Sequence, residues 1–129
     1  MKISYTKIFV DDQDKALKFY TEKIGFVKKE DVSNGPYRWL TVISTYDKNG
    51  TALLLELNDN PAAETYQKAM YDQNQPAIMF TVADAKKEYE RLKGNGVEFT
   101  MEPTAMGPAT IAVFDDTCGN LIQISELQE

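Results

Sequence analysis

The chain of 129 residues contains no histidine. Histidine is the commonest metal ligand and the usual general base near neutral pH. Its absence excludes Ser-His-Asp and Cys-His nucleophilic catalysis and leaves any metal to carboxylates, amides and water. Cysteine occurs once, at Cys118, so the chain can build neither an internal disulfide nor a thiolate metal cluster, and this usage fits a reducing compartment. No run of eighteen apolar residues is present, and the start, "MKISYTKIFVDD", alternates like a strand where a leader would show a charged segment before an apolar one. These shortages predict a cytoplasmic protein with no membrane partner. Positive charge is also scarce, with 14 Lys and Arg against 20 Asp and Glu and a net charge of -6. The basic residues are scattered singly or in pairs, which argues against nucleic acid as a partner. Acidic balance favours cationic or neutral ligands, or serves solubility alone.

What is present suffices for one domain over 1–129: 43% of the residues are hydrophobic, enough to build a core without a staple. The chain also repeats itself. "YTKIFVDDQDKALKFYTEKIGF" reads as a strand ending at Val10, an aspartate cap, a helix with Ala16, Phe19, Tyr20 and Ile24 on one face, then Gly25 and a new strand. "AIMFTVADAKKEYERLKGNGVEF" runs the same way, with a strand to Val82, a cap at Asp84, Ala85, Tyr89 and Leu92 inward, then Gly96. Aspartate at a helix start satisfies orphan N–H groups, and glycine past its end permits a left-handed terminus. Further strands are expected at 26–33, 38–44 and 51–58 after the first helix, and at 97–101, 109–115 and 120–127 after the second, separated by "NGP", "DKNG", "MGP" and "DTCGN". Each half is therefore βαβββ: a first module over 1–58, a connector over 59–75 with a short helix around Ala63 to Tyr71, and a second module over 76–127. Neither half hides its sheet alone, so the predicted fold is α+β, two βαβββ modules sharing a curved mixed sheet with helices on the convex side.

Paired βαβββ modules, the opening "IFVDDQDKALKFYTEKIGF" and the closing "FDDTCGNLIQI" resemble the vicinal oxygen chelate superfamily along nearly the whole chain. That superfamily includes glyoxalase I, extradiol dioxygenases and bleomycin-resistance proteins. "RWLTV", "EYERLKGNGVEFTMEPTAMGP" and "DTCGNLIQ" look like an uncharacterised glyoxalase-like subgroup. The resemblance implies a homodimer and a four-residue metal site. At those positions stand Tyr5, Glu56, Ala77 and Gln123, of which only Glu56 matches a metal ligand. A carboxylate with a phenol and an amide is a poor site for a transition metal, so no metal and no cofactor are expected.

Alternation gives a cup independently. With Ile8 and Val10 under the first helix, Tyr5, Lys7 and Phe9 face the concave side; Ala52, Leu54 and Glu56 gather likewise. In the second half Ala77, Met79 and Thr81, with Leu121, Gln123 and Ser125, face inward. Candidate ligand-binding residues are Tyr5, Lys7, Trp39, Met79, Thr81, Phe114 and Gln123, with Tyr37 beside Trp39 at the mouth. Glu56 is the candidate catalytic residue: buried, it becomes a general base or pairs with Lys7; unburied, it is a solvated strand-end acid. Tyr5 and Gln123 alternatively bond each other in a closed polar core, and Trp39, Phe114 and Met79 alternatively serve as packing. Cys118 reads as an inert thiol. Lys7 and Arg38 favour an anion while overall charge favours a cation. The leading expectation is a metal-free module binding a small molecule, similar to bleomycin-resistance proteins. The alternative is a glyoxalase-like isomerase or lyase using Glu56 as base or as a remnant metal ligand; a purely structural domain is a third reading.

Overall fold

Asp12 and Asp84 begin the two repeated helices in the same way. Each is extended, and its carboxylate accepts from the N–H three residues on, Lys15 or Lys87. The computed structural model describes residues 1–127. Two compact units divide the chain, Met1–Glu64 and the part from Thr65 onward.

The first unit contains β1 (Tyr5–Val10), α1 (Gln13–Lys18), β2 (Val27–Asn34), β3 (Tyr37–Ile43) and β4 (Ala52–Leu57). Its four strands lie in the order β1-β4-β3-β2, with β1 parallel to β4 and the other pairs antiparallel. α1 passes into a wider π-helical turn, Phe19–Ile24, where Thr21 Oγ1 donates to the Leu17 carbonyl at 2.7 Å and so competes for a helical acceptor. Gly25, with φ of 101°, then ends the helix where a side chain would clash. Ile8, Val10, Leu40, Val42 and Leu55 are buried on the helix face of this sheet, as are Ala16, Phe19 and Tyr20 of the helix; Ile24 is only half-buried. Each fully buried large aliphatic side chain stabilises the unit by about 1.5–3 kcal/mol. Gln13 fixes the start of α1 to the sheet, its amide donating to the carbonyls of Arg38 and Leu55 at 3.0 and 2.9 Å.

α2 (Pro61–Asp72) begins in the first unit and ends in the second, and is longer than the expected Ala63 to Tyr71. The second unit continues with β5 (Ile78–Thr81), α3 (Ala85–Gly94), β6 (Phe99–Met106), β7 (Ala109–Asp115) and β8 (Leu121–Leu127). Its order, β5-β8-β7-β6, reproduces that of the first unit. β6 runs five residues past its expected end at 101, through Pro103. Proline is tolerated there because β6 is the last strand of its sheet and its register breaks between Met101 and Thr104. Among the described residues the fold is α+β: two four-stranded mixed sheets, three α-helices and a duplicated βαβββ order.

Candidate functional site

Strand pairing decides which side chains of the first sheet turn away from α1. Parallel pairing aligns Tyr5, Lys7 and Phe9 with Ala52, Leu54 and Glu56, and antiparallel pairing adds Thr41 beside Leu54. Trp39 and Tyr37 share the face of Thr41 by alternation. Glu30 enters through its pairing with Thr41. The face away from α1 thus carries aromatic and polar side chains around a buried middle of Ala52, Leu54 and Thr41.

Glu30 organises one end of this face. Its Oε1 accepts from Tyr5 Oη at 3.1 Å, from Trp39 Nε1 at 3.2 Å and from Thr41 Oγ1 at 3.1 Å. The Tyr5 and Trp39 rings meet edge to face with centroids 5.2 Å apart. Hydrogen bonds to a carboxylate favour its charged form, so the Trp39 N–H, followed by the Tyr5 and Thr41 hydroxyls and the Lys29 charge, holds Glu30 below its ordinary pKa despite some desolvation. Reciprocally, the bond to Glu30 raises the Tyr5 phenol above its usual value. Unbroken pairing back from the turn, Asn34 with Tyr37 through Asp31 with Leu40, sets Glu30 opposite Thr41, and a β-bulge follows it. Lys28 pairs with Val42 and Glu30 with Thr41, so Lys29 is an extra residue in β2. Lys28 and Asp31 serve the helix face and lie 3.7 Å apart, while Lys29 and Glu30 both reach Tyr5, Lys29 Nζ standing 5.6 Å from the ring centroid.

Glu56 organises the other end. Lys7 Nζ lies 3.1 Å from its Oε2 and Tyr37 Oη donates to its Oε1 at 3.3 Å; its side chain is 22% exposed, so neither fully buried nor bathed in solvent. Desolvation, followed by the Glu56 charge, raises the Tyr37 phenol. Lys7 also stands 5.3 Å from the Phe9 ring centroid. Arg38 does not join this face. It lies on the helix side, bonded through Nε and Nη2 to Asp31 and through Nη1 to Asp14, which raises its pKa and lowers that of Asp31. The expectation that Arg38 helps Lys7 to draw an anion is therefore corrected: both cations are already paired within the unit.

In the second unit Met79 pairs with Gln123, and Thr81 with Ser125, on the face away from Ile122 and Ile124. The Gln123 amide donates to Ser125 Oγ at 3.1 Å and meets Met79 Sδ at 3.5 Å, and Val113 lies beside it in register. Tyr5 and Gln123 thus find their bonds to Glu30 and to Ser125, each inside its own unit, and not to each other as the alternative reading had it. Phe114 needs a clearer correction. It pairs with Ile122 and Phe99, is fully buried, and packs against Phe99 in the ring series Tyr89, Phe99, Phe114, with centroid separations of 4.7 and 5.6 Å. Its even position in β7 places it in the core beneath α3, away from the face of Gln123. Cys118 is buried in a turn organised by Asp116, whose carboxylate accepts from the Cys118 and Asn120 N–H groups and from the Asn120 amide.

Sequence reasoning passed over Glu30 and Thr41. Within "KKED" the run of charges reads as a solvated strand face. Pairing across the "NGP" turn, which sets Glu30 opposite Thr41, was the available signal.

The family's metal positions offer a poor donor set. Ala77 has no donor side chain and Gln123 offers a neutral amide. Tyr5 pairs beside Ala52 whereas Glu56 pairs beside Phe9, four residues further along β4, a separation of roughly 13 Å at 3.3 Å per residue. Among the described residues, no three His, Cys, Asp or Glu side chains form a group fit to hold a metal ion, and no helix is long and apolar enough to cross a membrane.

Similar proteins frame this geometry. Uncharacterized protein YurT of Bacillus subtilis (strain 168) is 64% identical over 124 residues, covering 96% of this chain and 98% of its own. Lactoylglutathione lyase of Salmonella typhimurium is 25% identical, covering 100% of this chain and 95% of its own. Among solved structures, UcmS2 has a TM-score of 0.84 at 32% identity and 97% coverage of both chains. TnmS3, an antibiotic binding protein from Streptomyces sp. CB03234, has a TM-score of 0.78 at 25% identity, covering 99% of this chain and 97% of its own. Residues 2–124 match the family as a whole. With the duplicated βαβββ order, these matches place the chain in the glyoxalase/bleomycin resistance protein/dioxygenase superfamily.

Proposed function

We propose that this protein binds a small organic molecule, without a metal, on the open face of its first sheet. One observation carries the reading: Glu30 gathers Tyr5, Trp39 and Thr41 onto a sheet face that α1 leaves uncovered. Aromatic walls with a few placed polar groups are what small-molecule sites use for affinity and orientation. An antibiotic binding protein among the similar structures supports the same class of activity. Lys7, Tyr37 and Glu56 form the second polar group of the face, and Met79, Thr81 and Gln123 supply a softer surface on the second sheet. The proposed protein is a cytoplasmic homodimer, in which β1, β2, β5 and β6, the end strands of the two sheets, are the natural places for a second copy.

The enzymatic alternative rests on Glu56 as base. Lys7 and Tyr37 each engage one of its oxygens, which fixes its orientation and leaves each oxygen a further acceptor site.

Trp39 is the sole tryptophan, which makes its emission a reporter of this face. Titrating untagged protein with bleomycin and a panel of aromatic antibiotics should give a saturable change in Trp39 emission for at least one compound, retained in the presence of a chelator. Formation of lactoylglutathione from methylglyoxal and glutathione, lost in Glu56→Gln, would replace this reading with the isomerase.

A further inference from the structure

Glu30 spends its two oxygens unequally. Three side-chain donors converge on Oε1, and no described side chain donates to Oε2. The three donors, Tyr5, Trp39 and Thr41, fix its position, and the Lys29 charge stands nearby. The carboxylate is charged, oriented and half open.

The chain shows what suits the space beside it. Lys29, placed on this face by the bulge, holds its ammonium 5.6 Å from the centroid of the Tyr5 ring, within the range of a cation–π contact. Lys29 sits on a flexible four-carbon stem and is an exposed residue. Such a contact at an exposed site is weak, so a ligand can displace it. Two further cations of this sheet are committed elsewhere, Lys7 to Glu56 and Arg38 to Asp14 and Asp31.

Building on the small-molecule reading above, we infer that Glu30 Oε2 and the rings of Tyr5 and Trp39 form a subsite for a protonated amine of the ligand, with Lys29 as its built-in competitor. The amine donates to Oε2 and takes the place of the Lys29 ammonium over the Tyr5 ring, and Lys29 swings into solvent. The ligand class is an aromatic or alicyclic primary or secondary amine, cationic at neutral pH.

Three probes of similar shape test this: 2-phenylethylamine, 2-phenylethanol and 3-phenylpropionate, cationic, neutral and anionic at pH 7. The single indole N–H resonance, from Trp39, reports binding by NMR. The amine should shift it saturably and bind about tenfold tighter than the alcohol. Glu30→Gln, which keeps an oxygen acceptor for Trp39, Tyr5 and Thr41, should reduce amine affinity about tenfold, to the level of the alcohol. Lys29→Gln should tighten amine binding by about threefold by removing the competitor. This gain is not a result that damage to the fold would produce. Preference for 3-phenylpropionate, weakened by Lys29→Gln, would overturn the amine subsite while leaving a small-molecule site in place. Unchanged amine affinity in Glu30→Gln would do the same. If none of the three probes moves the Trp39 resonance, the subsite and the binding face fall together.

Discussion

A single glycine shows how much one position can carry. Gly119 has φ of 101°, a conformation that side chains rarely adopt, and a Cβ built there would stand 2.6 Å from Gln67 Nε2. The Gln67 amide is itself occupied, donating to the Cys118 carbonyl at 3.1 Å and to Asn120 Oδ1 at 3.2 Å. Gly119→Ala therefore strains the backbone and breaks a buried amide network that ties α2 to the turn. A loss of about 2–4 kcal/mol in unfolding free energy is expected, measured by urea denaturation. Gly35 is the control: it has φ of 61° but nothing within 4 Å of an added Cβ, so Gly35→Ala should cost only the backbone strain, about 1 kcal/mol. The sequence marked the "DTCGN" turn, and Gly119 with it, through turn chemistry alone. Gln67, in contrast, lies within a connector that read as polar, and its buried role depends on contacts with residues some fifty positions away.

Elements were legible where their signals are local. Both aspartate caps, both glycine ends and the alternation of β1 and β8 follow from neighbouring residues, and the structure repeats them. Asp12→Ala and Asp84→Ala should each cost about 1 kcal/mol, and because the caps belong to separate units their effects should add in the double variant. Thermal unfolding monitored by circular dichroism measures all three. Less was legible where elements are adjusted by distant partners. The π-helical turn after α1 needs the Thr21 hydroxyl on the Leu17 carbonyl, and β6 passes through Pro103 because its far side has no neighbour in the sheet. The placement of Phe114 failed for a related reason. Its parity is set by pairing with Ile122 on the next strand, which puts it on the core side.

At the scale of the whole molecule, the duplicated order of strands and helices was readable because it is written twice, and the two copies confirm one another. The composition of the open faces was only partly readable. Tyr5, Lys7, Trp39, Met79, Thr81 and Gln123 stand on those faces by register, but Glu30, which organises three side chains, emerges only once β2 is paired with β3 and Thr41 is found opposite it. A chain without histidine, with Glu56 engaged by Lys7 and Tyr37, should retain less than about a tenth of an equivalent of nickel, zinc, manganese, iron or cobalt after excess metal is removed. Elemental analysis of untagged protein decides this, and near one equivalent, lost in Glu56→Ala, would reverse the expectation. The bulge in β2 has a counterpart in β6, where the register also shifts between Phe99 and Met101 and sets Met101 beside Val113. The two halves thus share one structural joint with opposite contents, a carboxylate in the first and a thioether in the second. That makes the second half a template for redesign: Met101→Glu, with Val113→Thr, Ile111→Trp and Ala77→Tyr, would give it the residue types of the Glu30 arrangement at matching positions.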